Sequence, residues 1–268
     1  MPDDSTSASV VLTEARGPVL LVTLNRPDRL NAWNDEMEQQ YSDILADADD
    51  DPDVRDIVVT GAGRGFCAGA DMDNLRQVSS SRAGSTNAFS RPRTFPLTIR
   101  KPLIAAINGP AAGLGLIEAL YCDLRFCVPD AKLTTAFSRR GLVAEYGISW
   151  LLPRLVGISS ALDLLMSARI VLGSEAHDMG LVDRLVEPDD LVEAAVAYAQ
   201  DLATHCSPTS MATMKAQVYG DLSATFEDSA VRAQELMSES FAHPDMAEGV
   251  ASYTEKREPD FAPLDPRT

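Results

Sequence analysis

Apolar residues fall in short runs through the first half of the chain and at helical spacing through the second. "VVLTEARGPVLLVTLNRP" holds two apolar runs around "RGP", the pattern of a β-hairpin. In "NDEMEQQYSDILADA", Met37, Tyr41, Ile44, Leu45 and Ala48 recur every three or four residues. Asn34 stands before them as a candidate N-cap, with Asp35 and Glu36 in the first turn. "DIVVTG", "PLIAAINGP" and "DLRFCV" read as short buried strands. Strands alternate with helices to about residue 155, which predicts repeated β/α units. Beyond that point "LVDRLV" is the one strand-like run. The rest reads as helix: "SSALDLLMSA", "SEAHDMG", "PDDLVEAAVAYAQDLATHC", "SPTSMATMKAQVY" and one long "DLSATFEDSAVRAQELMSESFA". The expected organisation is a disordered polar tail at 1–8, an α/β core at 9–200 and a helical C-terminal region at 201–268.

Composition narrows the partners. With 268 residues and 45% hydrophobic content, the chain can bury a large core. No run of ~18 apolar residues is present, so no membrane span is expected. The start "MPDDSTSASV" lacks a basic and an apolar signal region, which predicts a cytoplasmic protein. A net charge of -17 disfavours nucleic acid and anionic membranes. Arg76 to Lys101 runs against that charge, with Arg76, Arg82, Arg91, Arg93, Arg100 and Lys101 and no acid. It reads either as a face for an anionic ligand or as a mobile solvated segment. Cys67, Cys122, Cys127 and Cys206 form no CxxC pair, and His177, His205 and His243 are scattered, so no metal site is expected. Most of the cysteines are expected to be buried thiols, with Cys67 the one to watch because it lies in a glycine-rich loop.

Two glycine-rich turns follow strands: "TGAGRGFCAGADM" and "NGPAAGLGLIEAL". Neither matches GxxxxGK[ST] or GxGxxG, so a nucleotide-phosphate loop is not indicated. Small residues there either pack two tight turns or let a carbonyl oxygen approach two backbone N–H groups, an oxyanion hole. A third feature is Glu145, a lone carboxylate in the apolar run "GLVAEYGISWLLPRLVG". It reads as a first-turn helix acid, as a solvent-facing loop acid, or as a general base held in an apolar pocket.

"NRPDRLNAWNDEM", "GAGRGFCAGADM", "INGPAAGLGL", "GLVAEYGISWLLPRLVG", "AHDMGLVDRLV" and "EGVASYTEKREPDF" occur in this order. Together they resemble the crotonase, or enoyl-CoA hydratase/isomerase, superfamily, from about residue 9 to residue 261. The resemblance implies a spiral of ββα units with a helical C-terminal part that builds trimers, often paired into hexamers. It implies an acyl-CoA thioester substrate and no separate cofactor or metal. The thioester oxygen would be held by the amides of Ala70 and Leu114. CoA and acyl contacts would come from Arg29, Leu30, Ala32, Ala68, Asp71, Met72, Gly113, Phe137, Phe241 and Lys256, with Arg29 and Lys256 as candidate phosphate partners.

The departures are informative. Hydratases of the family carry two catalytic glutamates, and their positions fall on Ile117 and Phe137. Glu118 is one residue past the first position, and one step turns a helical side chain by about 100°. Some members instead use one acid after "GL": a glutamate in peroxisomal-type enoyl-CoA isomerases, an aspartate before a similar "WLLPR" helix in isomerases of phenylacetyl-CoA intermediates. Glu145 falls in that place. The resemblance therefore implies a double-bond isomerase, with a weak hydratase and a silent acyl-CoA binder as alternatives.

Overall fold

A computed structural model describes residues 9–71 and 90–266. The tail at 1–8, Met72, and Arg76 and Arg82 of the basic stretch lie outside the described residues.

The expected hairpin forms from β1 (Val11–Arg16) and β2 (Val19–Leu24), antiparallel, with Arg16 opposite Val19. Next comes α1 (Asp35–Asp50), which Asn34 caps by accepting the Met37 N–H at 3.0 Å. β3 (Asp56–Gly61), β4 (Leu103–Ile107), β6 (Leu124–Cys127) and β9 (Arg184–Leu185) then extend β2 in parallel, giving the order β1-β2-β3-β4-β6-β9. A second sheet joins β5 (Ala111–Ala112), β7 (Lys132–Thr134) and β8 (Val171–Leu172). Every residue of β3 and β4 is buried, as expected for parallel strands covered on both faces. The helix Leu191–His205 packs on β2, β3 and β4 through Leu191, Ala195, Val196 and Ala199. Each large apolar side chain so buried contributes about 1.5–3 kcal/mol.

Four parallel strands end on one edge of the main sheet, at Leu24, Gly61, Ile107 and Cys127. The carboxyl edge of such a sheet is where ligands usually sit in open α/β folds. The turns leaving β2, β3 and β4 carry most of the residues singled out in the sequence.

Two sequence expectations change. The second sheet is new, since none of β5, β7 and β8 is among the strands the sequence predicts. The long helix expected from Asp221 begins only at Phe226 and runs to Ala242, with Thr225 accepting the Asp228 N–H at 3.1 Å, while the helix before it extends to Asp221. Of the basic stretch, the structure describes Arg91, Arg93, Arg100 and Lys101, and each of these cations meets groups of the protein itself. Arg91 pairs with Asp43, Arg93 with Glu38 at 2.6 Å, and Arg100 with Asp49 at 2.8 Å, all on α1. Lys101 is buried and donates to the carbonyls of Ala48 and Asp51. An acid-rich helix thus absorbs these cations.

The helix Ile148–Ser167 is long and apolar enough to match a membrane span by length and composition, a feature that reading uninterrupted runs misses. Its backbone breaks at Gly157 (φ 77°, ψ 163°), and Ile148, Leu151, Leu152, Ala161 and Leu164 are buried in the fold.

Candidate active site

The turns after β3 and β4 lie against each other. Cys67 bridges to Ala111: its N–H donates to the Pro110 carbonyl at 3.1 Å, and its carbonyl accepts from the Ala112 N–H at 3.0 Å. Glycine is required for this approach. A Cβ on Gly69, which sits at φ +95°, would meet the Ala112 oxygen at 2.6 Å, and one on Gly115 would meet the Cys67 oxygen at 2.2 Å. The Leu114 nitrogen lies 3.7 Å from where the Gly69 Cβ would stand, so the two turns bring the neighbourhoods of Ala70 and Leu114 together.

Both amides are free to donate. Trp33 N–H donates to the Gly69 carbonyl and Asp71 N–H to the Trp33 carbonyl, each at 2.8 Å. This parallel bridge uses the groups on either side of Ala70 and leaves the Ala70 N–H outside it. Leu114 is the first residue of α2 (Leu114–Leu120), where an N–H has no partner within the helix. Among the described residues neither amide donates a hydrogen bond. Two unengaged amides on adjoining turns can serve an oxygen that gains charge during a reaction.

The turn after β2 braces this pair. Asn31 is fully buried and donates from Nδ2 to the carbonyls of Ala62 and Gly65 at 3.0 and 2.8 Å. Arg26 pairs with Asp71 at 2.9 Å and donates to the Ala32 carbonyl. Asp71 is therefore a strut between turns. The Leu30 carbonyl accepts from the Ala68 N–H at 2.9 Å. Ala32 and Ala68 are half-buried, and Arg29 is exposed. Gly113 is buried and donates its N–H to the Thr134 carbonyl at 2.9 Å. Phe241 and Lys256 are placed elsewhere, among the C-terminal helices. Phe241 lines a cavity of about 550 Å³ with Met237, Met246 and Phe261, and Lys256 is exposed after the Pro244–Glu255 helix. Among the described residues neither makes a hydrogen bond or ion pair with the Ala70 and Leu114 turns.

Ile117 and Phe137, at the two hydratase positions, are 1% and 5% exposed and belong to the apolar core. Glu118 is also buried, and its Oε2 has no hydrogen-bond partner among the described residues. Burial first, and then the nearby Glu38, push its carboxyl well above the usual range, against the pull of Arg93.

Glu145 lies in the loop between the Ser138–Arg140 turn and the Ile148–Ser167 helix. Gly147 is the N-cap there and no acid occupies the first turn, so Glu145 is not a helix-start acid. It is half-buried, and burial raises its carboxyl while Arg93 opposes. Next to it, Tyr146 takes a left-handed backbone (φ 52°), and its carbonyl accepts from the Tyr121 hydroxyl at 2.5 Å. That bond ties the Glu145 loop to the end of α2, the helix that begins with the Leu114 amide. Arg93 stacks over the Tyr146 ring, 5.4 Å from its centroid.

Sequence reading missed Trp33, Glu38 and Arg93. Glu38 is 5% exposed, and its Oε2 accepts from both Trp33 Nε1 at 2.7 Å and Arg93 Nη1 at 2.6 Å. The available signal was Glu38 itself, a charge directly after Met37 on the buried side of α1. Cys67, Cys122 and Cys127 are buried thiols as expected; burial pushes Cys67 up to about 12, which leaves it inert.

Comparison with known proteins bears on the same turns. Residues 14–263 match the family model described as enoyl-CoA hydratase/isomerase. The chain belongs to the enoyl-CoA hydratase/isomerase family. It is 34% identical over 258 residues to the 1,2-epoxyphenylacetyl-CoA isomerase of Escherichia coli, covering 94% of this chain and 97% of that one. The crystal structure of an enoyl-CoA hydratase from Mycobacterium marinum shares 47% identity and a TM-score of 0.69, over 80% of this chain and 98% of that one. Another, from Polaromonas, shares 27% identity and a TM-score of 0.88, over 94% and 99%. The fold is the mixed α/β, crotonase-type architecture of these neighbours.

Proposed function

We propose that the protein shifts a double bond in an enoyl-CoA thioester by proton transfer through a single carboxylate. The observation that carries this reading is the pair of buried apolar side chains, Ile117 and Phe137, at the two hydratase acid positions, beside a half-buried Glu145. A 3-enoyl thioester bound with its carbonyl oxygen between the Ala70 and Leu114 amides would lose a C2 proton to Glu145. The electrons pass into the thioester, giving a dienolate whose oxyanion accepts both N–H bonds. Glu145 then returns the proton at C4, and the double bond moves to C2–C3. No water needs activating, so one acid/base group suffices. Exposed Arg29 and Lys256 are the candidate partners for CoA phosphates.

The test is a comparison of two substrates. Conversion of trans-3-hexenoyl-CoA to the 2-enoyl isomer, with much slower hydration of crotonyl-CoA, is the expected result. Hydration that outpaces isomerisation overturns it and favours a second reading, which rests on relatives named enoyl-CoA hydratase. In that reading Glu145 orients water.

A further inference from the structure

Arg93 stands where the charged groups around the candidate base meet. It reaches Glu38 on α1 from one side, at 2.6 Å. On the other it covers the ring of Tyr146, the neighbour of Glu145, at 5.4 Å. The Glu38 oxygen that holds it also accepts the Trp33 indole N–H, and the Trp33 backbone flanks Ala70. The guanidinium is thus fixed on two faces, with its side chain only 19% exposed. The titratable groups facing this space are Glu38 and Tyr41 from α1, Glu118 and Tyr121 from α2, and Glu145 and Tyr146 from the loop.

We infer that Arg93, anchored by Glu38, is the positioning residue that keeps the Glu145 carboxyl ionised at neutral pH and so able to accept a proton. The inference rests on Glu145 being the base. A half-buried carboxylate loses solvation, and a fixed cation nearby restores part of what is lost. For Glu145, burial raises the proton affinity and Arg93 is the group that opposes it. Tyr146 adds geometry: its carbonyl is pinned by Tyr121 and its ring is covered by Arg93, so loop and cation move together. Glu38 supplies the anchor, and through Trp33 it links the cation to the bridge beside the Ala70 amide.

Two readouts test this. One is the pH dependence of kcat/KM for trans-3-hexenoyl-CoA. The other is the carboxyl-carbon NMR titration of Glu145 in the free protein, labelled at glutamate Cδ and assigned with Glu145→Gln. Arg93→Gln should move both midpoints upward by about one pH unit, so that on the acidic limb the rate falls about tenfold. Arg93→Lys, which keeps the charge, should leave both midpoints near their wild-type positions. Where Arg93→Gln leaves Glu38 unpaired and the protein unfolded, Glu38→Gln with Arg93→Gln keeps a neutral hydrogen-bonding pair and carries the same expectation. An unmoved Glu145 titration overturns the inference. So does an equal loss of rate at every pH, which marks a purely structural role. Full activity of Glu145→Gln overturns the base reading instead, and the carboxyl titration then decides the role of Arg93 alone.

Discussion

Asp56 offers a clean test of how this fold handles a buried charge. It opens β3 with no exposed surface, and neither carboxyl oxygen has a hydrogen-bond partner among the described residues. Burial pushes its carboxyl from 3.8 up to about 7, with Arg55 and Lys101 only partly offsetting. The sign is fixed by which state ionises first. Between pH 3.8 and about 7 the unfolded chain releases this proton and the folded chain holds it. The group's stabilising contribution is therefore complete below 3.8 and is lost as pH rises to about 7. At 1.36 kcal/mol per pH unit, the loss is about 4 kcal/mol, a large share of a typical stability. Asp56→Asn removes the ionisation and keeps the shape. Urea unfolding at fixed protein concentration, from pH 4 to pH 8, should show the two proteins close at pH 4. The variant should then gain by about 4 kcal/mol at pH 8. Parallel curves across that range would falsify the assignment of a neutral Asp56.

Glu145→Gln should lower kcat for 3-enoyl-CoA isomerisation by about 10²-fold or more, whereas Glu118→Gln, which keeps the shape of a buried acid whose carboxyl is pushed well above the usual range, should leave it nearly unchanged. The reverse order of effects would place the acid on α2. Ala70→Pro deletes one amide donor outside the Trp33 bridge and should cost about 10²- to 10³-fold in turnover, read alongside circular dichroism to establish folding. Wild-type turnover in a folded Ala70→Pro protein would remove that amide from the mechanism. The C-terminal helices leave Phe226, Val231, Phe241 and Tyr253 between 62% and 88% exposed, so sedimentation should find a trimer or hexamer at micromolar concentration, and a monomer alone would refute this.

What the sequence made legible was what depends on neighbours in the chain. The hairpin, α1 with its Asn34 cap, and the buried strands β3, β4 and β6 each carry their pattern within a few residues. The strands of the second sheet, β5, β7 and β8, are two or three residues long, too short to show any period. The break before Phe226 had a local signal, Thr225 followed three residues later by Asp228, and the helical periodicity on both sides masked it. The partners of the basic stretch were not legible for another reason. Its partners on α1 lie 48 to 55 residues away, and composition carries no information about which distant acids will meet which cations. The candidate site divides the same way. Ala70, Leu114 and Glu145 sit in motifs that can be aligned, whereas Trp33, Glu38 and Arg93 become a unit only when the turn after β2, α1 and the segment leading into β4 are brought together.

That unit also bears on why a second acid is missing. Arg93 is the cation that opposes the burial of Glu118, Glu145 and Tyr146 alike, and it is already engaged by Glu38. A carboxyl at position 117 or 137 would replace a side chain that is 1% or 5% exposed. At 117 it would sit next to Glu118, whose own carboxyl burial pushes well above the usual range. Desolvation would favour the neutral form there, as it does for Glu118. A neutral acid could donate a proton but could not pull one from water. Under the proposed reading, the pocket has arranged charge for one ionised carboxylate. Restoring hydratase chemistry would need a second cation or added solvent access, so Ile117→Glu with Phe137→Glu should yield no gain in crotonyl-CoA hydration. A gain of tenfold or more would mean that solvent and charge reach these positions better than their burial indicates, and that the single-carboxylate limit lies elsewhere.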